Sequence, residues 1–300
     1  MSQFQRLLVI VDPRMRHSPA LQRAAALART DGATLHVAAL VATPALVALL
    51  PAEVQARTRD GYAAECRTRL EEQIEPLRRQ GLTITREVLC VSDLRAEILQ
   101  HVAELQPDLL IKDVQHEGEL KRTFITPLDW HLLRECGVPL HLVAAGGHAL
   151  PRMVVAAVDT SREQARDTGL NERIIEAANA LAMQSGAELH LLHTYDPLRY
   201  YLADASAPSV SWSELSGDLR DLAQQDFQAF AAAQGVPEDR RHFLLGPPTM
   251  TLAEFAREQQ VDVLVMGRVQ RKGLDRLVGS TTEHALYQVP CSILAIAPGG

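Results

Sequence analysis

A chain of 300 residues is long enough for about two domains of ~150 residues each. Hydrophobic residues make up 47% of it and aromatics only 4%, so its cores must be built from Ala, Leu, Val and Ile. A formal net charge of −7 speaks against a general nucleic-acid binder, and no apolar run nears the ~20 residues of a membrane-spanning helix. The four cysteines, Cys66, Cys90, Cys136 and Cys291, lie far apart with no Cys-x-x-Cys pair. That usage predicts reduced, buried thiols and a cytoplasmic protein without a disulfide framework.

The opening "MSQFQRLLVIVDP" has an apolar run too short for a signal peptide and predicts a strand that ends at Asp12. In "LQRAAALARTDGATLHVAAL" apolar residues recur at i, i+3, i+4 and i+7, which predicts a helix stopped at Gly32 and followed by a strand. A longer helical stretch comes next. "AEILQHVAELQPDLLIKDV" then reads as helix and strand, and "WHLLRECGVPLHLVAA" as helix, Pro139 and strand.

From Pro151 the same order is written again. "PRMVVAAVDT" answers "FQRLLVIVDP", with Asp159 in the place of Asp12. "LNERIIEAANALAMQSGAELHLLH" repeats the helix, the stop at Gly186 and the strand. "LAEFAREQQVDVLVMGRV" and "TEHALYQVPCSILAIA" close the second copy, with Pro290 opposite Pro139. A repeat of this length predicts two like domains, residues 1–146 and 151–300, joined by "AAGGHALPR". The runs "LLVIV", "DLLIK", "VVAAV" and "DVLVM" are apolar without alternation, as strands buried on both faces are. Each copy is therefore expected to be a doubly wound α/β domain with a five-stranded parallel sheet flanked by helices. Its ligand site is expected beyond the carboxyl ends of the strands, where the strand order reverses. The least regular stretch, Tyr195 to Leu215, is expected to be a lid or surface loop.

Candidate chemistry concentrates after the strand "VDVLVM". Met266 and Gly267 end that strand, and Gly279, Ser280 and Thr281 precede the last helix. Backbone N–H groups in such a turn can cradle phosphate oxygens, and the hydroxyls can cap the helix or join the same anion. Two readings stay open: a nucleotide or anion site, or a worn loop that keeps its fold and cap. The neighbouring Arg268, Arg271, Lys272 and Arg276 form either a solvated face or an attractant for an anion. Asp159 is equally consistent with ribose binding and with capping its own loop.

The order Val-Asp, Met-Gly and Gly-Ser resembles the universal stress protein family. Its nucleotide-binding members carry Gly-x2-Gly-x9-Gly-Ser/Thr. Here Gln270 stands where the second glycine should, and the spacing to Gly279 is one residue short. The first copy has no glycine directly after its fourth strand, and Asp129-Trp130 stands in place of the Ser-Thr pair. The segments "FITPLDWHLLR" and "LNERIIEAANALA" resemble the tandem E subfamily of that family. The resemblance implies a first domain without a glycine loop, a second with a degenerate one, and a stress-related role with no established reaction. It also implies that Leu140–Ala144 and Ile293–Ala297 pair as terminal strands, so that the chain is its own pseudo-dimer, as a monomer or a further homodimer.

Histidine and the Asp129-Trp130-His131 trio invite catalytic or metal readings. His190 and His193 are on opposite faces of one strand and cannot share an ion. No metal-ligand motif, nucleophile elbow or Walker loop is present in the sequence. The trio is expected to cap and pack the last helix of the first copy, with no metal and no catalytic residue called. The functional expectation is a cytoplasmic stress-response protein that binds a small ligand or partner without a dedicated activity. The alternatives are an ATP-binding module with weak hydrolysis in the second domain, and a carrier of an amphipathic anionic metabolite. ATP is the candidate ligand, with no obligatory cofactor, nucleic acid or membrane partner. The candidate binding residues are Asp159, Met266, Gly267, Gly279, Ser280 and Thr281.

Overall fold

A computed structural model describes residues 4–43, 45–114, 127–161, 169–197, 212–268, 282, 285 and 288–298. The chain divides into two units, Met1–Leu150 and Pro151–Gly300. The first unit runs β1 (Arg6–Val11), α1 (Pro19–Asp31), β2 (Thr34–Ala42), α2 (Ala52–Arg79), β3 (Ile84–Val91), α3 (Leu94–Leu105), β4 (Leu109–Asp113), α4 (Pro127–Glu135) and β5 (Leu140–Val143). The second runs β6 (Met153–Ala157), α5 (Leu170–Ser185), β7 (Glu188–Tyr195), α6 (Trp212–Ala233), β8 (Arg241–Leu245), α7 (Pro248–Glu258), β9 (Val263–Gly267) and β10 (Ser292–Ile296).

Within the first unit the strand order is β3-β2-β1-β4-β5, and every pairing is parallel. Within the second it is β8-β7-β6-β9-β10, again all parallel. Each unit is the expected doubly wound α/β domain. Order reverses between β1 and β4 in one unit and between β6 and β9 in the other. Those two gaps are where a ligand site belongs.

The apolar strand runs behave as their lack of alternation requires. All five residues of β4 and of β10 are buried, as are five of the six in β1. Helix α1 lays Ala20, Leu21, Ala24, Leu27 and Ala28 on the sheet, and small residues let it come close. Burying one such leucine fully contributes about 1.5–3 kcal/mol. Ser18 caps α1 by accepting from Leu21 N, Pro19 takes the first helical position, and Gly32 ends the helix at φ 71°. Gly186 ends α5 in the same way at φ 68°. A side chain at either glycine would be strained in that left-handed conformation.

The repeat also extends to the amino ends of the sheets. The Asp108 carboxylate accepts from Gln5 N at 3.1 Å and Arg6 N at 2.9 Å. The Asp262 carboxylate accepts from Arg152 N at 2.7 Å and Met153 N at 3.2 Å. One aspartate before the fourth strand thus satisfies the first free amides of the first strand in each unit. The stretch from Tyr195 to Leu215 differs in part from the expected loop. Tyr195 is the buried last residue of β7, and Trp212 to Leu215 already belong to α6. Residues 198–211 are outside the described residues.

Candidate functional site

In the first unit, β1 delivers Asp12 and β4 delivers Lys112 and Asp113 to the two sides of the reversal. Asp12 Oδ1 accepts from Arg14 N at 2.9 Å, which closes the turn after β1. The Arg14 guanidinium grips the same carboxylate, with Nη2 2.7 Å from Oδ2. Burial acts to raise this carboxyl, but the Arg14 bonds and charge outweigh it and hold Asp12 below its ordinary value. Asp113 faces the other way, into the start of α1. Ser18 Oγ donates to it at 2.6 Å and Ala20 N at 2.7 Å. Here burial wins over those bonds and pushes the Asp113 carboxyl up.

Lys112 is buried and makes an ion pair with the fully buried Asp129 of α4, Nζ to Oδ1 2.9 Å. Its ammonium also donates to the Asp113 carbonyl at 2.9 Å. Asp129 lies inside the first turn of α4 and is the counter-ion of a strand lysine. The rest of the trio diverges. The Arg134 guanidinium lies over the Trp130 ring at 5.2 Å, and His131 Nδ1 approaches Glu135 at 3.4 Å. Around these charges a cavity of about 240 Å³ opens, lined by Asp12, Arg14, Tyr62, Ile98, Lys112 and Leu128 among others. It is smaller than the ~300–1,000 Å³ of typical ligand pockets.

The second unit builds its strand ends from other materials. Asp159 Oδ1 accepts from Ser161 N at 3.2 Å and Ser161 Oγ at 2.6 Å, the same turn as at Asp12 with a serine in place of the arginine. Asn171, buried at the start of α5, holds the Asp159 backbone from both sides. Its Oδ1 accepts from Asp159 N at 3.1 Å and its Nδ2 donates to Asp159 O at 2.9 Å. His193 Nδ1 lies 3.1 Å from the carbonyl of Val158, one residue earlier, and the ring packs on Phe227 and Phe243.

Gly267 ends β9 directly beneath α5. A Cβ there would come within 2.7 Å of Leu170 Cδ2 and 3.1 Å of Ile174 Cδ1. This glycine has a packing reason that needs no phosphate. Its carbonyl accepts from Thr282 Oγ1 at 2.7 Å, so a hydroxyl of the last helical stretch returns to the end of β9. The Met266 side chain is buried in the core. Arg268 is also buried, 3% exposed, and its N donates to Ile296 O at 2.8 Å, so it is no part of a solvated basic face. Gln270, Arg271, Lys272, Arg276, Gly279, Ser280 and Thr281 are outside the described residues.

Asp159 follows β6 by two residues and Gly267 ends β9, on the two sides of the reversal. Asn171 and the Lys112–Asp129 pair were not foreseen from the sequence. Each depends on a partner on another element, and nothing in local spacing announces it. All four cysteines are free thiols, and burial pushes Cys291 up to about 12, as an inert core thiol should behave.

Two consecutive doubly wound units, each with a Val-Asp turn after its first strand and a reversal at its fourth, define a class of tandem α/β proteins. The family model of the universal stress proteins matches residues 3–144 and again 152–297, and the chain belongs to the universal stress protein family. It is 26% identical to a universal stress protein E homolog of Haemophilus influenzae, over 98% of each chain. It is 28% identical to universal stress protein E of Photorhabdus laumondii, over 100% of this chain and 97% of that one. For the Escherichia coli K12 protein of the same name the figure is 26%, over 99% and 95%. Among solved structures, a functionally unknown Pseudomonas aeruginosa PAO1 protein has a TM-score of 0.75 at 22% identity, covering 98% of this chain and 93% of its own. A universal stress protein of Archaeoglobus fulgidus has a TM-score of 0.66 at 16% identity, over 99% and 97%. These two structures share the fold. Among the described residues no helix is long and apolar enough to cross a membrane.

Proposed function

We propose that the protein is a stress-response protein that binds a small anionic ligand, with ATP the candidate, at the strand ends of the second unit. It is not a dedicated enzyme. The observation that supports this reading is the charge at the two reversals. The first unit places Asp12, Asp113 and Asp129 there, and its cations Arg14 and Lys112 are already engaged with carboxylates. Among the described residues, a phosphate entering that space meets three carboxylates, two cations already engaged with them, and no strand-end glycine. The second unit presents Gly267 where the first has Asp113, and the Gly279-Ser280-Thr281 segment adds amide and hydroxyl donors to the proposal. The names of the E-type relatives support the stress-response part of the reading.

Labelling with a photoreactive ATP analogue tests the assignment. Labelled peptides are expected after residue 150, and equal labelling of residues 1–144 would refute it. A thermal shift with ATP and magnesium measures the affinity, since ligand at 100 times Kd adds roughly 2.7 kcal/mol of stability. We further propose that one chain is its own pseudo-dimer. Native mass spectrometry of freshly purified protein is expected to show a monomer and any retained ligand together.

A further inference from the structure

Away from the strand ends, three side chains of the first unit converge. His36 comes from β2, Glu87 from β3 and His101 from α3. One ligand atom from each lies within 4.8 Å of the others, the only such trio of His, Cys, Asp or Glu among the described residues. His101 Nε2 is 3.2 Å and His36 Nε2 3.9 Å from Glu87 Oε2.

Outer partners hold both rings by their Nδ1 atoms. Thr85 Oγ1 lies 2.9 Å from His36 Nδ1 and 3.4 Å from the Leu35 carbonyl oxygen. His36 therefore turns its Nε2 toward Glu87, 3.9 Å from Oε2. His101 Nδ1 donates to the Glu97 carbonyl at 2.9 Å and has the Glu97 carboxylate at 3.3 Å. Its Nε2 is bonded to the Glu87 carboxylate at 3.2 Å. His36 Nε2 is buried and has no hydrogen-bond partner. Two imidazole Nε2 atoms thus converge on one carboxylate oxygen, a donor set that a cation can join by displacing the proton between His101 and Glu87. Outer partners on both Nδ1 atoms are the device that orients metal-binding histidines.

The second unit shows that the fold does not require this trio. By strand register and helix position, His36, Glu87 and His101 correspond to His190, His242 and Phe255. There the two histidines stack at 5.3 Å between centroids and bond to each other at 3.0 Å, while Phe255 packs on His242 at 4.7 Å. Glu188 approaches His190 Nε2 at 3.7 Å, but a histidine stands where the first unit has Glu87 and an aromatic ring fills the third place.

We propose that His36, Glu87 and His101 form a divalent metal site of the zinc class. Zinc takes imidazole nitrogen at ~2.0–2.1 Å and carboxylate oxygen at ~2.0–2.2 Å, so tetrahedral ligands stand roughly 3.3–3.5 Å apart. The observed 3.2 and 3.9 Å bracket that separation. The Glu87 side chain is 41% exposed and His101 7%, so the ion has a path in, and water can take its fourth position. Binding ties β3, the outermost strand of the unit, to both β2 and α3. The site is separate from the strand-end ligand reading and stands or falls without it.

The test is zinc titration of the full chain, stripped with a chelator, in competition with a chromophoric chelator, alongside Co²⁺ absorption. The expected result is one tightly bound equivalent and the intense visible bands of a four-coordinate cobalt thiol-free site. Glu87→Gln and His101→Phe should each abolish that equivalent, and Thr85→Val should weaken it about 10–100-fold. His242→Ala should leave it intact. Glu87→Gln is isosteric and keeps the test valid if a histidine variant fails to fold. A wild-type chain that binds no zinc overturns the site. So does unchanged binding in Glu87→Gln, loss of binding in His242→Ala, or a faint six-coordinate cobalt spectrum.

Discussion

The fourth strand of each unit ends in opposite chemistry. In the first unit β4 closes on Lys112 and Asp113, with the lysine paired to buried Asp129 and the aspartate bonded to Ser18 and Ala20 N at the start of α1. In the second, β9 closes on Met266 and Gly267, and Leu170 and Ile174 of α5 rest where a side chain would be. One unit holds its first helix to the switch point with hydrogen bonds to Asp113 and its last helix with the Lys112–Asp129 pair, and the other holds its first helix with apolar contact. This position in the fold needs a helix anchored beside it and tolerates two different ways of anchoring. A glycine at a strand end can be a packing residue before it is a phosphate-binding one.

The largest effect should come from breaking the charged anchor. Lys112→Met takes the Lys112 ammonium away from the buried Asp129 carboxylate, and removing one partner of a buried pair costs about 3–5 kcal/mol. Urea denaturation should show that loss, and adding Asp129→Leu should recover most of it. If the double variant is as weak as the single, the pair is not what makes Lys112 matter. The apolar anchor should yield less. Gly267→Ala drives a Cβ to 2.7 Å from the tip of Leu170, and overpacking of this kind costs about 1–3 kcal/mol. Adding Leu170→Ala should relieve the clash, so the two changes together cost less than their separate effects summed.

Ser18→Ala sharpens the comparison at the helix start. It removes both the cap on Leu21 N and a bond to Asp113, and cap losses run about 0.5–2 kcal/mol. Helix α5 starts at Gly169 with no side-chain cap, so Gly169→Ala should act only through its left-handed φ of 59°. Both are read from thermal midpoints of the intact chain.

The smallest effect is graded with pH. Burial lowers His190, His193 and His242 of the second unit, with lesser contributions from their neighbours. These rings take up a proton less readily in the folded protein than in the unfolded chain, which protonates near the ordinary value of 6.5. The unfolded state then binds more protons, so stability falls as pH drops below about 6.5. Thermal midpoints should decline from pH 7.5 to 5.5, and His193→Phe should flatten the slope. A midpoint unchanged over that range would show that the rings are protonated in the fold as well.

Much of this architecture is legible in the sequence because its signals are local. Continuous apolar runs such as "LLVIV" mark strands buried on both faces. Helical spacing with a glycine stop marks α1 and α5, and the recurrence of Val-Asp marks the repeat. The site is less legible because its contacts are not local. Asp12 and Asp159 look alike in sequence, yet one is gripped by Arg14 and the other by Ser161. Arg268 reads as one of a row of surface cations until the sheet buries it.

By itself, then, the sequence determined two α/β units, their element order and the strand ends where chemistry belongs. It did so because periodicity and turn residues act through neighbouring positions on the chain. Only the tertiary structure decided that Lys112 meets Asp129, that Asn171 holds the backbone of Asp159, and that His36, Glu87 and His101 share one space. Such meetings depend on strand register and helix position, which bring together side chains far apart in sequence, and no local pattern encodes them.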